Sequence, residues 1–371
     1  MNTLFETGQD GGTATTHDWL NRCHFGDCLE TLRRMPDAFV HCGISSPPYY
    51  GLRDYSVPPT DWPAMEYRTL GGVLQVPAMS CCLGLEPTPE AFIGHIVLIY
   101  REVRRVLRDD GVCWVNMGDS YTSGGRTHER DPDGKNRAVG LGARRIDTPE
   151  YLKPKDLIGI PWMMAFALRY DGWYLRQGVI WSKPNPMPES VTDRCTKAHE
   201  DIFLLSKSPR YYFDNDAIRE PWEGEAAKAV AMGSKEVGQR GINASARRGL
   251  ADNQTTQFKK QGHSGYFGAD GKCLLNPLGA NKRSVWKVAT RAYKGAHFAT
   301  FPSKLIEPCV MAGSRPGDTV LDVFGGSGTT AEVAINSQRS AILCELNPKY
   351  IPLSLSRIDA AVGRQLRTIA T

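Results

Sequence analysis

Two short stretches hold residue types that could do chemistry together. The first is SSPPYYG, Ser45 to Gly51, which follows the apolar run FVHCGI. Each proline lacks the N–H that a strand ladder needs, so a strand entering this stretch must end in it. Pro47 and Pro48 fix the backbone and leave the carbonyls of Ser46 and Pro47 as acceptors. Ser46 adds a hydroxyl and Tyr49 a ring face. An exocyclic amine on a heterocycle stacked against the ring fits that set. Extruding a base from its stack costs a few kcal/mol, and stacking on an aromatic side chain returns about 1–3 kcal/mol.

The second stretch is TVLDVFGGSGTTAEVAI, Thr319 to Ile335, which reads as a strand, a glycine turn and a helix start. Gly325, Gly326 and Gly328 allow a sharp bend and close approach to a ligand. Ser327, Thr329 and Thr330 suit the cap of the following helix, whose N-terminus favours an anionic group. A P-loop ends in Gly-Lys-Ser/Thr, and the missing lysine excludes that ATPase class. SAILCEL then gives a second strand ending in Glu345, placed to accept hydrogen bonds from a ribose. An adenosine-containing cofactor fits, either NAD or S-adenosylmethionine.

These stretches need a frame. Short β-rich runs (FVHCGIS, GVCWVNMG, WYLRQGVIW, DIFLLS, TVLDVF and SAILCEL) alternate with helical stretches. Glu86 to Leu107 has apolar residues at helical spacing and stops at Asp109-Asp110-Gly111, and LIGIPWMMAFALRYDGW is closed by Asp171-Gly172. The alternation predicts an α/β fold with a mostly parallel, doubly wound sheet, whose ligands bind outside the carboxyl ends of the strands. Three segments interrupt it. Ser56 to Gly84 is rich in Pro, Trp and Met and reads as an irregular excursion. Thr122 to Thr148 is a Gly/Arg-rich loop. Glu223 to Ser284 is rich in Gly, Asn, Gln and Lys.

The net charge of +5 is unevenly placed. Gly224 to Gly295 holds thirteen Lys/Arg against four acids, an excess of nine that leaves the rest of the chain four negative. A basic module on a slightly acidic body points to a polyanionic partner such as nucleic acid. The apolar run FIGHIVLIY spans about half of what a membrane helix needs. The N-terminus has no basic region followed by an apolar core and reads as a polar lead, so a cytoplasmic location is expected. Ten scattered cysteines without a C-x-x-C pair read as reduced thiols. Cys23 and Cys28 flank His24, but no second ligand cluster follows with zinc spacing, and no metal is expected.

The residues resemble the amino-directed (N4-cytosine/N6-adenine) DNA methyltransferases, in particular the circularly permuted β group. In that group the catalytic tetrapeptide precedes the S-adenosylmethionine loop, and the target-recognition region lies between them. SPPY comes first here, the basic segment follows, and DVFGGSGTT comes last. HFGDCLETL, LGLEPTPEAF, REVRRVLRDDGVCWVNMGDSY, WSKPNPMPESVTDR and HFATFPSKLIEP look like further family blocks, and the likeness runs from about His24 to Asp359.

The resemblance implies a permuted Rossmann-like methyltransferase domain with an inserted recognition region. Residues 1–18 would be the lead, 19–222 the catalytic half, 223–290 the basic recognition region and 291–371 the cofactor-binding half. Ser46, Pro47, Pro48 and Tyr49 would be catalytic, with Asp119 counted beside them. Phe324, Gly326 and Gly328 match the F-x-G-x-G loop, with Asp322, Thr329 and Thr330 in the same loop, and Glu345 matches the acid on the ribose. Asp27 resembles the acidic position beside the adenine, and Phe301 and Lys304 fall in the block at the methionine end. Asp119 and Lys183 would line the base pocket, while Arg194 and His199 would serve packing or loop anchoring. Lys183, Arg247, Arg248, Lys259, Lys260, Lys282 and Arg283 would contact DNA. S-adenosyl-L-methionine is the implied cofactor and double-stranded DNA the implied partner. A cognate restriction endonuclease is compatible, and monomer and homodimer both stay open.

Serine at the first tetrapeptide position directs the reading to cytosine N4, with adenine N6 as the alternative. A DNA-binding protein with lost catalysis is a more distant one. Pro308-Cys309 supplies the letters of a C5-cytosine nucleophile, but precedes the cofactor strand and reads as a buried helix residue. A nicotinamide dehydrogenase would leave SPPY and the basic segment without a task.

Overall fold

The computed structural model describes residues 16–52, 57–122, 151–233, 273–290 and 301–369. Nearly all of the Gly/Arg-rich run and most of the basic segment, with Arg247, Arg248, Lys259 and Lys260, lie outside the described residues. The chain divides into two compact units, Met1–Phe213 with Ser284–Thr371, and Asp214–Arg283.

The first unit begins with α1 (Thr16–Trp19), β1 (Arg22–Phe25), α2 (Cys28–Arg34) and β2 (Val40–Ser45). Four short strands follow: β3 (Thr60–Trp62), β4 (Met65–Thr69), β5 (Gly72–Val76) and β6 (Met79–Cys81). Then come α3 (Pro89–Val106), β7 (Leu107–Met117), α4 (Ile160–Tyr170), β8 (Tyr174–Ser182) and β9 (His199–Ser206). The second unit contains α5 (Gly224–Gly233). The chain returns to the first with β10 (Val285–Lys287), α6 (Ser303–Gly313), β11 (Thr319–Asp322), α7 (Thr329–Asn336), β12 (Ser340–Glu345) and α8 (Ile351–Ile369).

Eight strands form one sheet in the order β1-β12-β11-β2-β7-β9-β8-β10. All neighbours are parallel except at β9, which runs antiparallel to β7 and β8. β2, β7, β11 and β12 are nearly continuous buried runs, the pattern of strands covered on both faces. The expected doubly wound α/β sheet is present. From β11 the chain steps outward through α7 to β12, and from β2 it steps the other way through α3 to β7. The direction reverses between β11 and β2, where a crevice opens at their carboxyl ends.

Local chemistry sets the helices. The Thr88 hydroxyl accepts from the Ala91 amide, Pro89 occupies the first turn of α3, and Arg104 and Arg105 sit in its last turn. Phe92, Ile96, Ile99 and Val103 form its buried stripe in the main core.

Ser56 to Gly84 differs from expectation. Instead of an irregular excursion it contains two antiparallel strand pairs, β3–β6 and β4–β5. The alternation of β4 lasts only five residues, too short to stand out among the surrounding Pro and Met. Met65 and Val76 press onto α3 at Gly94, where a Cβ would stand 2.7 Å from Val76 Cγ2 and 2.9 Å from Met65 Sδ. His95 and Glu86, both fully buried, pair at 2.8 Å, and His95 stacks on Trp62 at 4.2 Å. Edge strands β1 and β10 were also unexpected. β10 falls within the span 223–290 expected for the recognition region, yet it pairs with β8 in the main sheet. Among the described residues no helix is long and apolar enough to cross a membrane.

Candidate active site

β2 delivers SPPY to the crevice. Its last residue, Ser45, pairs with Val115 of β7 and is buried with its hydroxyl 2.7 Å from that of Tyr100. The ladder stops there. The carbonyls of Ser46 and Pro47 accept no hydrogen bond from the described residues. The Tyr49 ring lies against Gly118, just past β7, where a Cβ would stand 2.3 Å from Tyr49 Cε2. The Tyr49 hydroxyl donates to Glu200 Oε2 at 2.6 Å and accepts from Asn116 Nδ2 at 2.7 Å. Asn116 Nδ2 also lies 2.9 Å from Glu200 Oε2 and 3.4 Å from Ser46 Oγ. The Lys183 ammonium donates to Glu200 Oε1 and stands 4.4 Å from the centre of the Trp181 ring.

β11, β12 and the loops after them form the other wall. The Gly326 amide donates to Glu345 Oε2 at 2.6 Å, and the Asn347 amide to Oε1 at 2.7 Å. Burial pushes the Glu345 carboxyl up, although these backbone donors oppose it. Gly328 has φ +83°, and a Cβ there would stand 2.8 Å from Ser354 Cα, so glycine lets α8 close on the loop. The Ser354 hydroxyl donates to the Gly326 carbonyl at 2.6 Å. Asp27 caps α2, accepting from the Leu29 and Glu30 amides at 2.8 and 3.2 Å through Oδ1. Its Oδ2 accepts from the Thr60 hydroxyl at 3.3 Å.

Both walls line one cavity of about 690 Å³, a size usual for small-molecule sites. Among the expected residues, Ser46, Pro47, Pro48, Tyr49 and Lys183 line it. So do Asp27, Phe301, Phe324, Gly326, Thr329 and Glu345. Others do not. Asp322 is buried beneath the loop, accepting from the Phe324 amide at 3.0 Å and the Thr330 hydroxyl at 2.6 Å, and burial lifts its carboxyl to about 7. Asp322 and Thr330 therefore brace the loop from below, and Gly328 serves the packing of α8. Lys304 is exposed at the start of α6, away from the cavity lining.

Asp119 requires a correction. Expected in the base pocket, its carboxylate instead accepts from the amides of Gly159 and Ile160, each at 3.0 Å, and of Ser120 at 2.9 Å. It satisfies the orphan donors at the start of α4 and does not line the cavity. Arg194 pairs with Glu189 at 2.5 Å and covers the Tyr121 ring at 4.0 Å. In the second unit, Lys282 and Arg283 share the carboxylate of Glu220 at 3.3 and 2.7 Å. Cys309 is buried inside α6.

Sequence reasoning missed Asn116, Gly118, Trp181, Lys197 and Glu200. An asparagine inside the apolar strand VCWVNM was a readable signal, because a buried amide needs partners. Lys197 lines the cavity, donates to the Asp119 carbonyl at 3.3 Å, and is pushed below the usual lysine range by burial.

A family model described as DNA methylase matches residues 40–356. Type II methyltransferase M.Cfr9I of Citrobacter freundii is 41% identical over 345 residues, covering 93% of this chain and 90% of that protein. Type II methyltransferase M.SmaI of Serratia marcescens is 40% identical over 333 residues, covering 90% and 89%. Two solved structures share the fold. PvuII DNA methyltransferase (cytosine-N4-specific) aligns with a TM-score of 0.53 and 15% identity, over 94% of this chain and 95% of that one. A putative DNA modification methylase from Thermus thermophilus, complexed with S-adenosyl-L-methionine, aligns with a TM-score of 0.50 and 22% identity, over 92% and 94%. With the family model matched across most of its length and these relatives aligned over nine-tenths of it, the chain belongs to the N6/N4 family of DNA methylases.

Proposed function

We propose that this DNA methylase transfers the methyl group of S-adenosyl-L-methionine to the exocyclic N4 amine of a cytosine extruded from duplex DNA. One observation carries the reading. Ser46, Pro47 and Tyr49 line the same cavity as Glu345 and the glycine loop, and no described residue donates to the Ser46 or Pro47 carbonyl.

The donor set fits the cofactor. Glu345, held by two backbone amides, offers a carboxylate to ribose hydroxyls, and Asp27 offers Oδ2 to an adenine amine. Phe324 and Phe301 supply apolar faces. When bound, the cofactor supplies a methyl group on a positively charged sulfur. On the opposite wall, Tyr49 stacks the base while Ser46 and Pro47 accept from its amine. A neutral serine hydroxyl is a poor base, so its work is orientation. With the amine's hydrogens directed to these acceptors, its lone pair faces the methyl group; S-adenosyl-L-homocysteine is the leaving group, and the surplus proton of the methylated amine passes to solvent water after transfer.

Ser46 is the reason for choosing cytosine. Its hydroxyl takes the place of the acidic or amide side chain that adenine-directed relatives commonly carry at this position. Duplex DNA is held by the basic segment, and Lys282 and Arg283 take part with part of their charge already answered by Glu220. The relatives are named type II methyltransferases, which supports a cognate restriction endonuclease as partner and the cytoplasm as location.

The test is mass spectrometry of nucleosides from duplex DNA incubated with the protein and S-adenosyl-L-methionine. N4-methylcytosine is expected. N6-methyladenine would overturn the base assignment, 5-methylcytosine the mechanism, and the absence of any methylated base the whole reading.

A further inference from the structure

Stacking alone needs a ring, and phenylalanine would provide one. Here the ring carries a hydroxyl built into a chain of polar groups. Tyr49 donates to Glu200 at 2.6 Å, Asn116 reaches Tyr49, Glu200 and Ser46, and Lys183 holds the second oxygen of Glu200. Lys183 and Glu200 are largely covered, with side chains 18% and 14% exposed, so water screens the pair weakly. Bonds to an ionised acceptor are the strong and directional ones. Opposite this chain, Gly118 offers the ring a flat backbone wall. Tyr49 is thus fixed at its tip by a charged acceptor and along one edge by main chain.

We propose that Glu200 is a positioning residue for methyl transfer. It sets the plane of the Tyr49 ring so that the extruded base stacks with its amine at Ser46, and Lys183 in turn holds Glu200. The proposal rests on the reading of Tyr49 as the stacking ring. The fold explains how Glu200 arrives. β9 is antiparallel to its neighbours, so its first residues, not its last, lie at the edge where the parallel strands end. Glu200 pairs with Trp181, two residues before Lys183. Glu200 accepts from three different donors, which suits a fixed anchor.

The experiment compares Tyr49→Ala, Tyr49→Phe, Glu200→Ala, Glu200→Gln and the Tyr49→Phe/Glu200→Ala double variant. It measures kcat, KM for a duplex oligonucleotide, Kd for S-adenosyl-L-methionine, and fluorescence of a duplex carrying 2-aminopurine at the target base. Tyr49→Ala should abolish most turnover. Tyr49→Phe and Glu200→Ala should each lower kcat by about 10- to 100-fold, the scale of one bond to a charged partner. Cofactor Kd should stay within about twofold of wild type, because Glu345 and the glycine loop are untouched. Glu200→Gln, which keeps an acceptor oxygen, should recover part of the loss. Adding Glu200→Ala to Tyr49→Phe should cost little more, since the bond is already gone. The 2-aminopurine signal of Glu200→Ala should match that of Tyr49→Phe.

An undiminished Glu200→Ala effect in the Tyr49→Phe background would overturn the positioning role. So would a wild-type kcat for Glu200→Ala, or a parallel loss of cofactor binding. Wild-type turnover by Tyr49→Ala would instead overturn the stacking reading beneath it.

Discussion

Gly118→Ala adds one methyl group at the place where the ring of Tyr49 has least room. The new Cβ would stand 2.3 Å from Tyr49 Cε2 and 2.7 Å from Cδ2. Carbon contacts relax at about 3.5–4.0 Å, so the ring must move by about 1 Å or more. Gly118 is not among the residues with positive φ, so its backbone accepts alanine without strain. The whole cost falls on the ring. A 1 Å movement carries the 2.6 Å bond to Glu200 to the edge of hydrogen-bonding range or past it. Losing a bond to a charged acceptor costs about 1.5–3 kcal/mol, and misplacing a substrate-orienting group by about 1 Å costs on the order of 100-fold in rate. The two figures agree, since about 1.4 kcal/mol is a factor of ten. We expect kcat to fall about 100-fold in single-turnover transfer of a tritiated methyl group to a duplex oligonucleotide. Calorimetric Kd for S-adenosyl-L-methionine should be unchanged, because Gly118 does not line the cavity. A Gly118→Ala enzyme with wild-type kcat would refute the reasoning, because it would mean that the ring can move without consequence.

Three further perturbations address other parts of the molecule. Asp119→Ala removes the acceptor for the first amides of α4 and should lower unfolding stability by about 1–2 kcal/mol in urea titration, with cofactor Kd preserved; full stability would contradict the capping role. Asp322 tests pH dependence. Burial lifts its folded pKa to about 7 from an ordinary 3.8, so the folded state retains a proton that the unfolded chain releases. Its contribution is fully present below about pH 3.8 and is lost as pH rises through about 7. Asp322→Asn cannot ionise and should flatten Tm against pH across that window, and a profile superimposable on wild type would refute the assignment. Replacing Lys259 and Lys260 by alanine should reduce the slope of log affinity for duplex DNA against log salt by about 1.8 if both contact phosphate, while an unchanged slope would remove them from the interface.

Much of the fold was legible because its signals are local. β2, β7, β9, β11 and β12 announce themselves as apolar runs, since strands covered on both faces cannot alternate. The two motifs sit at turns that Pro and Gly impose by their own backbone chemistry. Asp119 was misplaced for the opposite reason. A carboxylate at a strand end looks like a site residue, and its true partners, Gly159 and Ile160, come forty residues later with no pattern linking them. Lys183 was legible in place but not in partner. It lines the cavity, as expected of a base-pocket residue, but its partner Glu200 arrives across a strand pair whose direction DIFLLS does not encode.

Glu200 therefore marks where sequence reading stopped, and also what the site depends on. Its place is set by the pairing of β9 with β7 and β8, in register with Asn116 opposite Ile202 and Trp181 opposite Glu200. Successive residues of a strand point to opposite faces, so a slip of one residue would turn Glu200 away from the cavity and bring His199 or Asp201 into its place. A histidine there would no longer give Lys183 an anionic partner or offer Tyr49 a charged acceptor. Asp201 would keep the charge on a side chain one methylene shorter, and that carboxylate would fall short of the Tyr49 hydroxyl by roughly the 1 Å that methyl transfer cannot absorb. The register of β9 in the sheet is thus what carries Glu200 to the Tyr49 hydroxyl.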